Sequence, residues 1–304
     1  MARRSKIKGR NVKGILLLDK PPGLTSNDAL QKVKSLYRAR KAGHTGSLDK
    51  AASGLLPLCF GEATKFSGFL LNADKHYRTI FQLGIQTSTG DAEGDIVFRG
   101  ETGKLTRKRV EAVLATFLGT VVQVPPMFSA LKHKGQRLYK LAHQGLEVER
   151  EPREITIHSM DLLDYRGDEL ELDIRCSKGT YIRTLAEDIG KELGCGAHVK
   201  ALRRIGVGPY SDENMLTVPE LEGIAETGMQ GLDELLLGID SVVQDMPCVN
   251  LVDSVAYYLC QGQPVTVPRA PTRGMLRIYG EDGRFLGVGE VLADGRVAPK
   301  RLLA

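Results

Sequence analysis

Past Pro247 the chain becomes a series of short apolar runs cut by glycine and proline: PVTVP, GMLRIYG, GRFLGVGEV and GRVAP. Runs of that length, with breakers between them, suit the strands of a small all-β barrel. The preceding chain has another texture. Ile15–Asp19 reads as a short buried strand closed by the PPG turn at 21–23. Thr25 or Ser26 then caps a helix to about Arg40, with Ala29, Leu30, Val33, Leu36 and Tyr37 at helical spacing. A strand at Leu55–Phe60, a helix at Glu62–Leu71 and a strand at Tyr77–Ile85 follow. Thr106 opens a helix that ends at Gly119, with apolar residues at 110, 113, 114, 117 and 118 on one face. Residues 154–165 and 169–176 read as two strands joined at Arg166–Asp168. Tyr181–Leu193 reads as a helix closed by Gly194, and Ala197–Val207 as a strand. Thr217 and Glu220 fit a capping box before a short acidic helix. Helices and strands mix without a βαβ rhythm. The expected class is therefore α+β, with a mixed sheet over 13–246 and a small all-β domain over 247–304. Residues 1–12 carry Arg3, Arg4, Lys6, Lys8 and Arg10 and no acid, which reads as a disordered basic arm.

Several function classes drop out early. The five cysteines are scattered, odd in number and never spaced C-x-x-C, which argues against a disulfide framework and a zinc site. The six histidines form no H-E-x-x-H, and there is no GxxxxGK[ST], so neither a metal nor a nucleotide cofactor is expected. The run Ile15–Leu18 is too short for a signal peptide, and no apolar stretch is long enough to span a bilayer. A cytoplasmic protein without membrane contact is expected. The net charge of +5 hides a split: 205–268 holds ten acidic residues and no Lys or Arg, so the remainder carries +15. Such a split suits one basic face for a polyanion, or equally a set of solvated helix faces.

Segment 123–153 reads as an excursion from the core. Its Lys132, Lys134, Arg137 and Lys140 stand among Phe128, Leu131, Leu138 and Tyr139. Basic and aromatic side chains so interleaved suit RNA, and also suit an ordinary surface helix. The loop 43–54, GHTGSLDKAASG, presents Asp49 between glycines after His44 and Thr45. Taken alone it is either a turn with a capping Asp or a site where backbone freedom displays a side chain.

Five ordered motifs decide between these readings. DKPPGLTS at 19–26, GHTGSLDKAASG at 43–54, GEATKF at 61–66, Lys75–Tyr77 in DKHYR and CSKGTYIRTLAEDIG at 176–190 together resemble the TruB family of tRNA pseudouridine synthases. GRFLGVGEVLADGRVAPKRL at 283–302 resembles the end of a PUA domain, the RNA-binding barrel this family carries. The resemblance runs from about 12 to 302. It implies a pseudouridine synthase catalytic domain with an inserted RNA-gripping segment, followed by a PUA barrel. It further implies isomerisation of uridine 55 in the tRNA T-loop, without cofactor, by a monomer with no obligate protein partner. Asp49 becomes the catalytic carboxylate, Arg183 its partner and Tyr77 the ring stacked on the uracil. Tyr181 and Leu202 line the pocket, and His44 contacts the RNA. Lys20, Lys132, Lys134 and Arg137 join the substrate-binding set. Arg269, Arg273, Arg277, Arg284, Arg296, Lys300 and Arg301 give the barrel a basic side for the acceptor end.

The residue types suit that chemistry. Forming pseudouridine breaks an N-glycosidic bond, turns the uracil and rejoins it through carbon. A carboxylate can hold one fragment meanwhile, as glycosidase carboxylates do. Burial raises a carboxylate pKa and a nearby guanidinium lowers it again, and Arg183 cannot deprotonate. The last step needs a proton acceptor, for which Tyr77 is the candidate. The target base must leave its stack, which costs a few kcal/mol, and a tyrosine face returns about 1–3 kcal/mol of that. One departure stands out. The family usually places Pro after the catalytic Asp and a larger apolar residue next, where this chain has Lys50 and Ala51. Lys50 keeps a second reading open, a non-catalytic tRNA-binding or folding protein of the same architecture. A guide-RNA-dependent subunit of a related branch fits less well, because such proteins usually lack the long insert.

Overall fold

The computed structural model describes residues 9–303. The basic arm lies outside the described residues up to Lys8. From there the expected disorder gives way to order. Arg10 N–H donates to Arg38 O at 2.7 Å, its side chain pairs with Asp233, and Val12 is buried. Contacts divide the chain into two compact units. One takes in the chain up to Leu48, Leu55–Asn72 and the chain from Gly208 on; the other is Asp49–Gly54 with Ala73–Val207.

The first unit begins with β1 (Gly14–Lys20), nearly every residue of which is buried. Such a strand shows a continuous apolar run rather than alternation. α1 (Ser26–Leu36) follows, its Thr25 cap accepting from Asp28 N–H. Ala29, Leu30 and Val33 enter a core with Leu16, Leu18, Leu58 and Phe60. The helix stops at Leu36 rather than Arg40. Arg38 turns to φ 48°, a left-handed conformation that no helix continues through. β2 (Ala42–His44) runs antiparallel to β3 (Ser53–Phe60), whose first two residues belong to the second unit. The helix expected over 62–71 is split into a 3-10 turn, Gly61–Lys65, and α2 (Ser67–Asn72). Thr64 and Ser67 hydroxyls each donate to the carbonyl three residues back, at 2.8 and 2.9 Å, which favours the tighter turn at the break.

The second unit holds β4 (Lys75–Leu83), the hairpin β5 (Ile85–Thr87) with β6 (Ile96–Arg99), α3 (Arg107–Thr116) and β7 (Gly119–Gln123). Next come β8 (Lys132–His133), β9 (Gln136–Arg137) and α4 (Leu138–Ala142), then β10 (Arg153–Arg166), β11 (Glu169–Cys176), α5 (Ile182–Leu193) and β12 (Ala197–Val207). Its sheet runs from the start of β3 through β12, β4, β11 and β10 to β7. β12 is parallel to β3 and antiparallel to β4, so the sheet is mixed, as expected. The excursion leaves from β7 and returns into β10, neighbours whose register pairs Gln123 with Arg153. An insert anchored so leaves the sheet beneath it undisturbed.

The chain after Gly208 adds β13 (Tyr210–Ser211), β14 (Leu216–Thr217), α6 (Val218–Thr227) and α7 (Met229–Glu234). Both halves of the Thr217–Glu220 capping box are present. Past 247, β15 (Cys248–Leu251), β16 (Gly274–Gly280), β17 (Phe285–Val291) and β18 (Val297–Leu302) form a four-stranded sheet in that order. Leu276, Ile278, Leu286 and Val297 make its core, and one short helix, α8 (Asp253–Cys260), sends Leu259 into it. PVTVP forms none of these strands, but Val265 bridges Val297, and Val265 and Val267 pack into the same core.

Candidate active site

Within the second unit, Asp49 stands just before β3 and Arg183 in the first turn of α5. A cation at the N-terminus of a helix opposes the macrodipole, so its reason lies outside the helix. Arg183 Nε donates to Asp49 Oδ2 at 2.9 Å and Nη2 to Asp49 Oδ1 at 3.3 Å. The fork thus meets both carboxylate oxygens, the geometry that arginine supplies and lysine does not. Nη1 donates to Thr89 O at 3.0 Å and Nη2 also to Phe128 O at 2.7 Å. Three separate segments therefore hold one guanidinium. Its side chain is 6% exposed, while that of Asp49 is 45% exposed, so the carboxylate keeps one side open to solvent.

A second carboxylate attends the same cation. Asp91 Oδ2 lies 3.9 Å from Arg183 Nε, while Asp91 Oδ1 accepts from the Thr89 hydroxyl and from Glu93 N–H. The turn carrying it comes close to α5 because residue 90 is glycine. At φ +73°, a Cβ there would meet Glu187 Oε1 at 2.7 Å and Arg183 Cβ at 3.2 Å. Gly54 is equally constrained on the other flank. Its φ is +100° and a Cβ would lie 2.2 Å from Arg204 O on β12, so only glycine allows the two strands this approach.

Asp49, Asp91, Arg183 and Leu202 line one cleft together with Ala92 and Ala201. The cleft is open to solvent on the side where the Asp49 carboxylate is exposed. Tyr77 is buried on β4, level with Arg204 of β12 in the register. Burial pushes its phenol up to about 12, against the lowering effect of Arg204, which hydrogen-bonds to it. A hydroxyl so held stays protonated at neutral pH, which counts against the expected use of Tyr77 as proton acceptor. Tyr181, half-buried, is the N-cap residue of α5.

Other expected contacts fall elsewhere. Lys20 is fully buried in the first unit, and its ammonium donates to Pro21 O and Leu24 O, both at 2.8 Å. Those two bonds brace the PPG turn, because a buried ammonium must find acceptors. Ser26, from the same motif, accepts from Leu48 N–H at 2.8 Å and donates to Leu48 O at 3.1 Å. His44 is half-buried at the end of β2, opposite Leu58. Lys132, Lys134 and Arg137 are exposed on the β8–β9 hairpin, whose turn residues Lys134 and Gly135 both take positive φ. Among their aromatic neighbours, the half-buried Phe128 and Tyr139 both stand edge-on to the exposed His143. In the C-terminal domain Arg296 pairs with Asp294 and Lys300 with Glu290, both at 2.7 Å, which reduces its basic side.

Asp91 and Arg204 are the residues that reading the sequence missed. Arg204 was within reach, since strand alternation places it on the same side of β12 as Leu202. Among the described residues, no group of three His, Cys, Asp or Glu side chains is placed to hold a metal ion, and no helix is long and apolar enough to cross a membrane.

Comparison with known proteins bears on this arrangement. Residues 34–182 match the family model for the TruB family pseudouridylate synthase N-terminal domain. Residues 183–244 match the tRNA pseudouridylate synthase B C-terminal domain, and 247–303 the C-terminal region of pseudouridine synthase II TruB. The chain is 54% identical to the tRNA pseudouridine synthase B of Nitrosococcus oceani, over 100% of this chain and 98% of that one. It is 55% identical to that of Stutzerimonas stutzeri, over 97% and 96%. Among solved structures, an H/ACA RNP bound to a substrate RNA containing 2'-deoxyuridine shares the fold. Its TM-score is 0.74 at 23% identity, covering 96% of this chain and 85% of that one.

Proposed function

Since the chain belongs to the TruB family of pseudouridine synthases, and is an isomerase that forms pseudouridine in tRNA, we propose that its target is uridine 55 of the T-loop and that Asp49 carries the chemistry. The observation that supports this most is the two-point pairing of Arg183 with a carboxylate that is still half exposed. The guanidinium fixes the orientation of the Asp49 carboxylate, while the open side leaves it free to attack. The flipped uracil stacks on Tyr77, beside Leu202 and Tyr181.

The cations of the β8–β9 hairpin meet T-arm phosphates, His44 contacts the RNA, and the C-terminal domain meets the acceptor end. The enzyme acts as a monomer in the cytoplasm, where its substrate is. Incubation with an unmodified tRNA transcript, and with a matched transcript carrying cytidine at position 55, tests the reading. Pseudouridine mapped to position 55 of the first and nowhere in the second is expected. Product at another uridine would refute the site assignment.

A further inference from the structure

Gln123 is the last residue of β7 and is 2% exposed. Its side-chain amide brackets the backbone of one residue of the neighbouring segment. Tyr181 N–H donates to Gln123 Oε1 at 2.8 Å, and Gln123 Nε2 donates to Tyr181 O at 3.1 Å. A primary amide can give and take at once in this way, its oxygen accepting and its nitrogen donating. Tyr181 is the N-cap residue of α5 and makes no capping bond of its own through its side chain. Its carbonyl already accepts the first helical bond, from Leu185 N–H at 3.1 Å. Gln123 therefore fixes the point at which α5 starts. Two residues on stands Arg183, and five residues beyond Gln123 stands Phe128, whose carbonyl takes the shortest bond the guanidinium makes.

From this geometry we infer that Gln123 is a positioning residue for the Asp49–Arg183 pair. It locks the base of the insert to the first turn of α5, so that Arg183 meets Asp49 and Phe128 O together. The inference rests on the reading of Asp49 and Arg183 given above. A glutamine that only satisfied a buried strand end would contribute to stability alone. A positioning glutamine also sets the rate of the chemical step, because a displacement of about 1 Å at reacting groups costs about 100-fold.

Full-length Gln123→Leu, Gln123→Met and Asp49→Asn are compared under single turnover, with enzyme saturating over an unmodified tRNA transcript, so that only folded, bound enzyme is read. Gln123→Leu is expected to slow the step about 100-fold while the Kd for tRNA stays within about 3-fold, because phosphate contacts dominate affinity. Gln123→Met, unbranched and of similar length, makes neither bond and is expected to slow the step as Gln123→Leu does. A Gln123→Leu rate within about 2-fold of wild type overturns the proposal, whatever the melting temperature does. Should that variant not fold, a wild-type rate in Gln123→Met overturns it equally. Turnover by Asp49→Asn would instead sink the reading on which the inference rests.

Discussion

The cleft around Asp49 and the β8–β9 hairpin deal with charge in opposite ways. In the cleft, a buried guanidinium is shared among Asp49, Thr89 and Phe128, with Asp91 at its back. On the hairpin, Lys132, Lys134 and Arg137 stand in water on a short ribbon. The first arrangement sets geometry before substrate arrives, and fixed dipoles and charges in a dry site act strongly on a reaction. The second sets only potential, which steers a polyanion and weakens with salt. Damage to the cleft should therefore appear in the chemical step, and damage to the hairpin in affinity.

The sharpest way to break this contrast is Asp49→Asn. Turnover should fall by at least ~10⁴-fold, with tRNA binding kept within about tenfold. A filter-binding titration beside a turnover assay checks both. Arg183→Lys comes next. It keeps the charge and loses the fork, so a loss of about 100-fold in single-turnover rate is expected, with little change in Kd. A loss confined to Kd would place Arg183 with the gripping residues.

Removing all three hairpin cations, Lys132→Ala, Lys134→Ala and Arg137→Ala together, should weaken tRNA binding roughly tenfold. The slope of log Kd against log salt should drop by about 2–3, while the rate at saturating enzyme stays near wild type. An unchanged salt slope would show that these side chains do not meet phosphate. The smallest effect is expected from Lys50→Pro. Lys50 adjoins Asp49 in the chain, yet it is exposed like the hairpin cations. Activity should be preserved or slightly raised. A large fall in single-turnover rate would assign Lys50 to the cleft, and a rise in Kd alone would assign it to the grip.

Local order explains which parts of the site were legible beforehand. Thr106 caps its helix, Gly194 closes α5 in the left-handed conformation, and Thr217 with Glu220 forms its box. Each depends on neighbours within four residues. Asp49, Tyr77 and Arg183 were recognisable by motif. The burial of Lys20 and its bonds to Pro21 O and Leu24 O had no signal in the motif, because burial is a tertiary fact. Asp91 had no motif to announce it, and its meaning comes from Gly90 letting that turn close on α5.

The order of helices and strands, the barrel texture after Pro247 and the family's motifs were all present in the one-dimensional chain. They are matters of periodicity, capping and turn chemistry, which act over a few residues. That Arg183 grips Asp49 from 134 positions away, that Arg204 lies buried against Tyr77, and that Gln123 fixes the start of α5 were decided only by folding. Sheet pairing brings such residues together, and once water is excluded each buried polar group must take whatever partner the packing places within reach.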